Sequence, residues 1–249
     1  MTTKIQSKYI YAFLSEDIAI DKDLTGINDQ PVYTITFENI CIVVSDCPNK
    51  KIRSQRKHIA AHHQVLIHLM NQITPLPVVF GIIAETTNDL ENFISQNKKQ
   101  LISTLKHLHG KAEMTLKVSY TVPNIFEYFI DKYPNLRKMR DAIYKSSKNM
   151  SANDKIELGR LFDKLLNQER EMHTNTVDKS LADHCVDIKY LPCRDEHLII
   201  NIACLIEKKQ ESKFENAIFQ TANQFDDNFQ FDYNGPFIPH NFTELNIDI

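Results

Sequence analysis

Prolines at 236 and 239, set inside the aromatic stretch Phe231 to Phe242, put the tightest local limit on how this chain can fold. Each proline fixes φ and removes a backbone donor, so the stretch is barred from a helix and from a strand paired on both sides. Asn234-Gly235, a turn pair, leads into them. Chain ends lose order unless something ties them down, and the interleaved rings of Phe231, Tyr233, Phe237 and Phe242 are suited to doing so. The segment reads as a docking tail. Its plainest use is to pack back on its own domain, and contact with a partner surface is the alternative.

A chain of 249 residues has room for one large or two ordinary domains. The formal net charge is −3 with acids and bases mixed throughout, so no basic face is offered to nucleic acid or to an anionic membrane, and neither is expected as a partner. Cys41, Cys47, Cys185, Cys193 and Cys204 are scattered and never form a CxxC pair, which fits a reduced, cytoplasmic interior. With neither a signal peptide nor an apolar run as long as a membrane span, the expectation is a soluble protein. The scarce glycines form no GxGxxG or P-loop, and GxSxG, HExxH and aspartate-rich metal loops are missing. A chain without a cofactor, and not an enzyme, is expected.

Along the chain, Tyr9 to Leu14 reads as a first strand, and Val32–Phe37 with Ile40–Val44 as a hairpin around Glu38-Asn39. Helical spacing of Ile59, Leu66, Leu69, Met70 and Ile73 predicts a helix between Arg53 and Ile73. Val78 to Ala84 is apolar enough for one buried strand. A helix capped near Thr87-Asn88-Asp89 should then run to Gly110, before an alternating strand from Ala112 to Tyr120. Beyond Pro123 the chain turns helical, with Ser151 to Asp154 opening a long helix whose stripe is Ile156, Leu158, Leu161, Phe162, Leu165 and Leu166. Strands at Cys185–Leu191 and Leu198–Ile206, a helix at 211–225 and a strand at 228–233 complete it. The fold class is therefore α+β. A ferredoxin-like sandwich is expected over 1–122, a modified ferredoxin-like unit with long helices over 123–233, and an aromatic, proline-bearing tail over 234–249.

Sites for chemistry are sparse. His58, His62, His63 and His68 lie on the first helix, and His58 and His62 have the four-residue spacing of two metal ligands. A third ligand is missing, since Glu85 is separated from them by a strand, so a polar helix face is the expectation; the same holds for His107 and His109. Cys185 follows His184 and Cys193 precedes Arg194, but neighbours along a strand point to opposite faces, leaving inert thiols. Glu169 and Glu171, two apart on the long helix, read as a solvated face rather than an acid/base pair. Lys50 to Lys57 is a basic surface patch. Tyr9, Tyr11 and Phe80 are too few for a base-stacking sheet.

Four stretches in order resemble the gas vesicle protein F/L family (GvpF/GvpL): the helix Arg56 to Met70, Leu76-Pro-Val-Val-Phe-Gly81, Leu108-His-Gly-Lys-Ala-Glu-Met-Thr-Leu-Lys-Val118, and Gly235-Pro-Phe-Ile-Pro-His-Asn-Phe242. The likeness spans nearly the whole chain, with F slightly favoured over L. Departures sit at Val79 and Ile82, where the family commonly has arginine and threonine, and at Phe237, Ile238 and His240 in the tail. The resemblance implies a two-domain α+β protein, not an enzyme, that helps build gas vesicles, the protein-walled organelles that give buoyancy. Its implied partners are the gas vesicle shell protein and other accessory proteins. Gly235, Pro236, Phe237, Ile238, Pro239 and Phe242 are then the candidate interaction residues. A ferredoxin-like small-ligand regulatory domain is the alternative, and would need a pocket between sheet and helix with converging polar groups.

Overall fold

The computed structural model describes residues 7–48, 51–146 and 151–243. The chain divides into two compact units, Met1–Glu113 with Glu207–Lys209 and Pro236–Ile249, and Met114–Ile206 with Gln210–Gly235. Both mix helices with sheets, an α+β architecture.

In the first unit the chain runs β1 (Ser7–Leu14), β2 (Val32–Phe37), β3 (Ile40–Cys47), α1 (Arg56–Met70), β4 (Leu76–Pro77), β5 (Ile83–Ala84) and α2 (Thr87–Leu108). The strand order is β2-β3-β1-β4, with β5 also on β1. Glu38 and Asn39 take φ of 48° and 67° between β2 and β3, the two left-handed residues that a tight hairpin needs. Strands β1 and β3 are nearly continuous apolar runs because both faces of β1 are covered. Tyr9 and Tyr11 pack with Val65, Leu66 and Leu69 of α1, while the ring of Phe13 stacks 6.1 Å from that of Phe93 on α2. Helix α2 starts with a capping box in which Thr86 and Asp89 satisfy each other's backbone N–H. Between β1 and β2 there is only a short 3-10 turn, where a ferredoxin-like β-α-β-β-α-β order has a helix.

That turn is fastened by the fully buried Tyr11, whose hydroxyl accepts the Ile27 N–H at 2.8 Å and shares a hydrogen bond with Ser45 Oγ at 2.9 Å. A Cβ at Gly26 would lie 1.9 Å from that hydroxyl oxygen. The tyrosine is hemmed in by core and has nowhere to move. Gly26→Ala is expected to cost the first unit roughly 1–3 kcal/mol, the range for overpacking. An unchanged denaturation midpoint would show that the turn can shift to make room.

The second unit contains β6 (Lys111–Tyr120), entered just before the division, then α3 (Ile125–Lys132), α4 (Pro134–Ser146), α5 (Ala152–Leu181), β7 (Asp187–Tyr190), β8 (Leu198–Glu207), α6 (Glu211–Ala222) and β9 (Phe229–Phe237). Its strand order is β7-β8-β6-β9. Counted as one crossover, α3 to α5 give the element order β-α-β-β-α-β of a ferredoxin-like unit. Met114, Leu116 and Val118 of β6 join Ile200, Ile202 and Cys204 of β8 and the inner stripe of α5 in one core.

Three sequence expectations change. Strand β6 does not close the first sheet: it lies between β8 and β9 in the second, so the division falls at Glu113–Met114 rather than near Pro123. Alternation in sequence identifies a strand but not its neighbours. Val78 to Ala84 is not one strand. Leu76–Pro77 and Ile83–Ala84 pair separately with β1, and between them Gly81 takes φ +101° while Val79 turns outward, 65% exposed. The last strand continues through Gly235-Pro236 to Phe237, which a missing N–H permits because β9 is at the sheet edge.

Candidate functional site

Parts of all four family-like stretches come together in the first unit. Helix α1 supplies His62, Leu66 and Leu69, the segment between β4 and β5 supplies Val78 and Phe80, the start of β6 supplies Glu113, and the tail supplies Ile238 and Asn241. His62 stands at the centre, 5% exposed. Its Nδ1 lies 2.9 Å from the Tyr9 hydroxyl and its Nε2 3.1 Å from the Val78 carbonyl. The carbonyl can only accept, so Nε2 carries the proton and Nδ1 accepts from Tyr9. The Tyr9 oxygen in turn accepts the Gly81 N–H at 3.1 Å. Two side chains thus satisfy the backbone that the break between β4 and β5 leaves unpaired. The rings of Tyr11 and Phe80 enclose the imidazole, with centroids 5.5 and 5.9 Å away.

Burial pushes the His62 pKa down to about 4; the Val78 carbonyl opposes this, and the neighbouring His240 and His63 add to it. Between about pH 6.5 and 4 the unfolded chain binds the proton that the folded chain excludes. The stabilising contribution is therefore complete above pH 6.5 and lost as pH falls toward 4. NMR titration of the His62 ring is expected to give a midpoint near 4; a midpoint near the ordinary histidine value would mean that the ring reaches water.

This geometry gives His62 a packing role. His58 is on the exposed side of α1, bonded to the Arg53 carbonyl at 2.9 Å and to Asn28 Oδ1 at 3.1 Å. Its partners differ from those of His62, and no group of three or more His, Cys, Asp or Glu side chains able to hold a metal occurs among the described residues. Burial, reinforced by Asp17, raises the Cys41 thiol to about 11, and burial also raises Cys193 despite nearby Arg170. Of the basic patch, Lys50 lies outside the described residues, while Lys51, Arg53, Arg56 and Lys57 are exposed around the buried Ile52.

The tail splits into an outer and an inner part. Gly235, Pro236 and Phe237 are exposed, Phe237 by 45%, whereas Ile238, Pro239 and Phe242 are buried. Ile238 belongs to the core cluster of Tyr9, Tyr11, Leu66 and Leu69. A 3-10 turn at His240–Phe242 presents Asn241, whose backbone N–H and side-chain Nδ2 donate to the two oxygens of buried Glu113 at 2.9 and 2.6 Å. Packing on its own unit, the plainer of the two readings of the tail, is what these residues do. Only the outer three of the six candidate residues are exposed.

In the second unit, one residue read from sequence as solvated is buried. Glu169 is 3% exposed. It accepts from His173 Nε2 at 3.0 Å, Lys132 Nζ at 2.9 Å, Tyr120 at 3.1 Å and also Tyr133. Burial works against its ionisation but is outweighed by the bonds from His173, Lys132 and Tyr133, which hold the carboxyl down at about 2. Glu171 is exposed as expected. The signal that separates them is the helical stripe, for Phe162, Leu166, Glu169 and His173 recur on the same face of α5.

Comparison with known proteins agrees with this arrangement along the whole chain. The family described as gas vesicle synthesis protein GvpL/GvpF matches residues 7–244. Gas vesicle protein F of Dolichospermum flosaquae is 24% identical over 243 residues, covering 95% of this chain and 97% of that protein. The crystal structure of the gas vesicle protein GvpF from Anabaena sp. PCC7120 superimposes with a TM-score of 0.85 at 22% identity, covering 97% of this chain and all 100% of that one. That of gas vesicle protein GvpF from Microcystis aeruginosa gives 0.81 at 24% identity, with the same coverage. A match that takes in both units, the break after β4 and the inner tail leaves no domain of the chain outside it: the chain belongs to the gas vesicle synthesis protein GvpL/GvpF family.

Proposed function

We propose that this chain acts in gas vesicle formation as a non-enzymatic accessory protein, associating with the vesicle shell protein and with other gas vesicle accessory proteins in the cytoplasm or on the vesicle. The observation that carries this reading is the family match across residues 7–244. A wall whose inner face holds gas must be built from subunits with large apolar patches, and such patches aggregate unless something binds them before assembly. The first unit exposes apolar side chains of its own, with Ile59 and Ile67 at 47% and 46% on α1, Val79 at 65% and Phe237 at 45%. The polar atoms at its centre are spent on one another and on backbone, which suits a binding scaffold better than a reaction site. Among the described residues no helix is long and apolar enough to cross a membrane.

A pull-down from cells co-expressing the tagged full chain with the shell protein tests this reading. The full chain is expected to capture the shell protein, and Phe237→Ala, which leaves the buried Ile238 and Phe242 in place, is expected to capture less. Capture that is unaffected by the substitution moves the contact to other surfaces; absence of capture by the full chain overturns the association.

A further inference from the structure

The second sheet ends in an edge that nothing in the family reading uses. Strand β9 is bonded to β6 on one side, and among the described residues no strand lies on its other side. An exposed edge offers a row of backbone donors and acceptors, which proteins normally blunt with lysine, proline or a covering element. Pro236 blunts only the far end. At the near end the strand opens on a groove of about 430 Å³, lined by Phe225, Asp226, Asp227, Phe229 and Phe231 together with the end of α6. Its rings are half-buried and mutually packed, Phe225 lying 5.2 Å from Phe229 and 4.9 Å from Phe231 between centroids. Asp226 and Asp227 are exposed at its rim, and neither forms an ion pair among the described residues.

Aromatic faces beside carboxylates that have no cation partner attract a cation by two routes, the ring quadrupole and direct charge. An edge strand beside them selects for extended backbone. We propose that the outer edge of β9 takes an extended, basic segment of a partner protein as an added strand, with a lysine or arginine of that segment seated between the phenylalanines and Asp226–Asp227. The site is separate from the exposed part of the tail, so it stands whether or not Phe237 contacts the shell protein. Side chains alternate along a strand, so the segment would carry basic residues on the face toward the groove and tolerate others between them.

The test is fluorescence anisotropy of a labelled short peptide of alternating valine and lysine, titrated with the full-length protein at moderate salt, with the valine–glutamate peptide as its counterpart. The lysine peptide is expected to bind and the glutamate peptide not to. Asp226→Asn with Asp227→Asn should weaken binding about tenfold, whereas Glu16→Gln with Asp23→Asn, the same charge change on the first unit, should leave it unaltered. Hydrogen exchange in the complex should slow at the amides of β9. The proposal is overturned if the lysine peptide does not bind, if both double variants weaken it equally, or if protection appears elsewhere than β9.

Discussion

Replacing Ile238 and Phe242 together with alanine is expected to destabilise the first unit by roughly 5 kcal/mol or more, enough to remove most of its stability. Large-to-small substitution of buried isoleucine and phenylalanine costs about 2–5 and 3–5 kcal/mol, the loss of transfer energy plus the cavity left behind. Both side chains are at most 5% exposed. Ile238 fills a place among Tyr9, Tyr11 and Leu66, close-packed residues with little freedom to collapse into the gap. Domains are marginally stable, so a loss of this size shows as early unfolding rather than as a small shift. Denaturant unfolding with a probe in the first unit measures it. Unchanged stability would mean that the tail is a free arm, and the division of the chain that assigns Pro236–Ile249 to the first unit would fail.

Glu169→Leu should be nearly as damaging, for an electrostatic reason. The carboxylate is the shared acceptor for Lys132, His173, Tyr120 and Tyr133. Removing one member of a buried, hydrogen-bonded charge cluster costs about 3–5 kcal/mol, because its partners are left without a counter-charge. Glu169→Gln, which keeps the shape and one acceptor oxygen, should cost less. The same site has a signature in pH. The folded carboxyl titrates at about 2, below the ordinary glutamate value of 4.5. Its stabilisation is therefore full above pH 4.5 and declines as pH falls toward 2. The acid limb of a stability–pH curve in that window should flatten in Glu169→Gln. An identical limb in both proteins would show that Glu169 does not set the acid dependence of stability.

Much of the element order is legible in sequence because periodicity reports burial. The stripe of α5, the capping pattern at Ser151 and Asp154, and the Glu38-Asn39 hairpin are local signals read by local rules. What sequence leaves hidden is non-local. The alternation of Ala112 to Tyr120 is the same whichever sheet receives it, so the partners of β6 cannot be read from it. Pro77 and Gly81 are both visible, but the strand break between them depends on Tyr9 and His62 reaching in to satisfy the freed backbone. The tail is recognisable as tied down, while its division into an exposed Pro236–Phe237 and a buried Ile238–Phe242 depends on the depth of the pocket that the first sheet and α1 leave. The burial of Glu169 is invisible in its spacing from Glu171 and shows only in its place on the stripe of Phe162, Leu166 and His173.

A role in gas vesicle formation is tested most directly by vesicle formation itself. The full set of gas vesicle genes accompanying this chain would be expressed with and without it in a host that lacks vesicles, and vesicles scored by electron microscopy and cell flotation. Vesicles that form only when the chain is present are the expected result. Vesicles of normal number and shape without it would contradict a role in their formation.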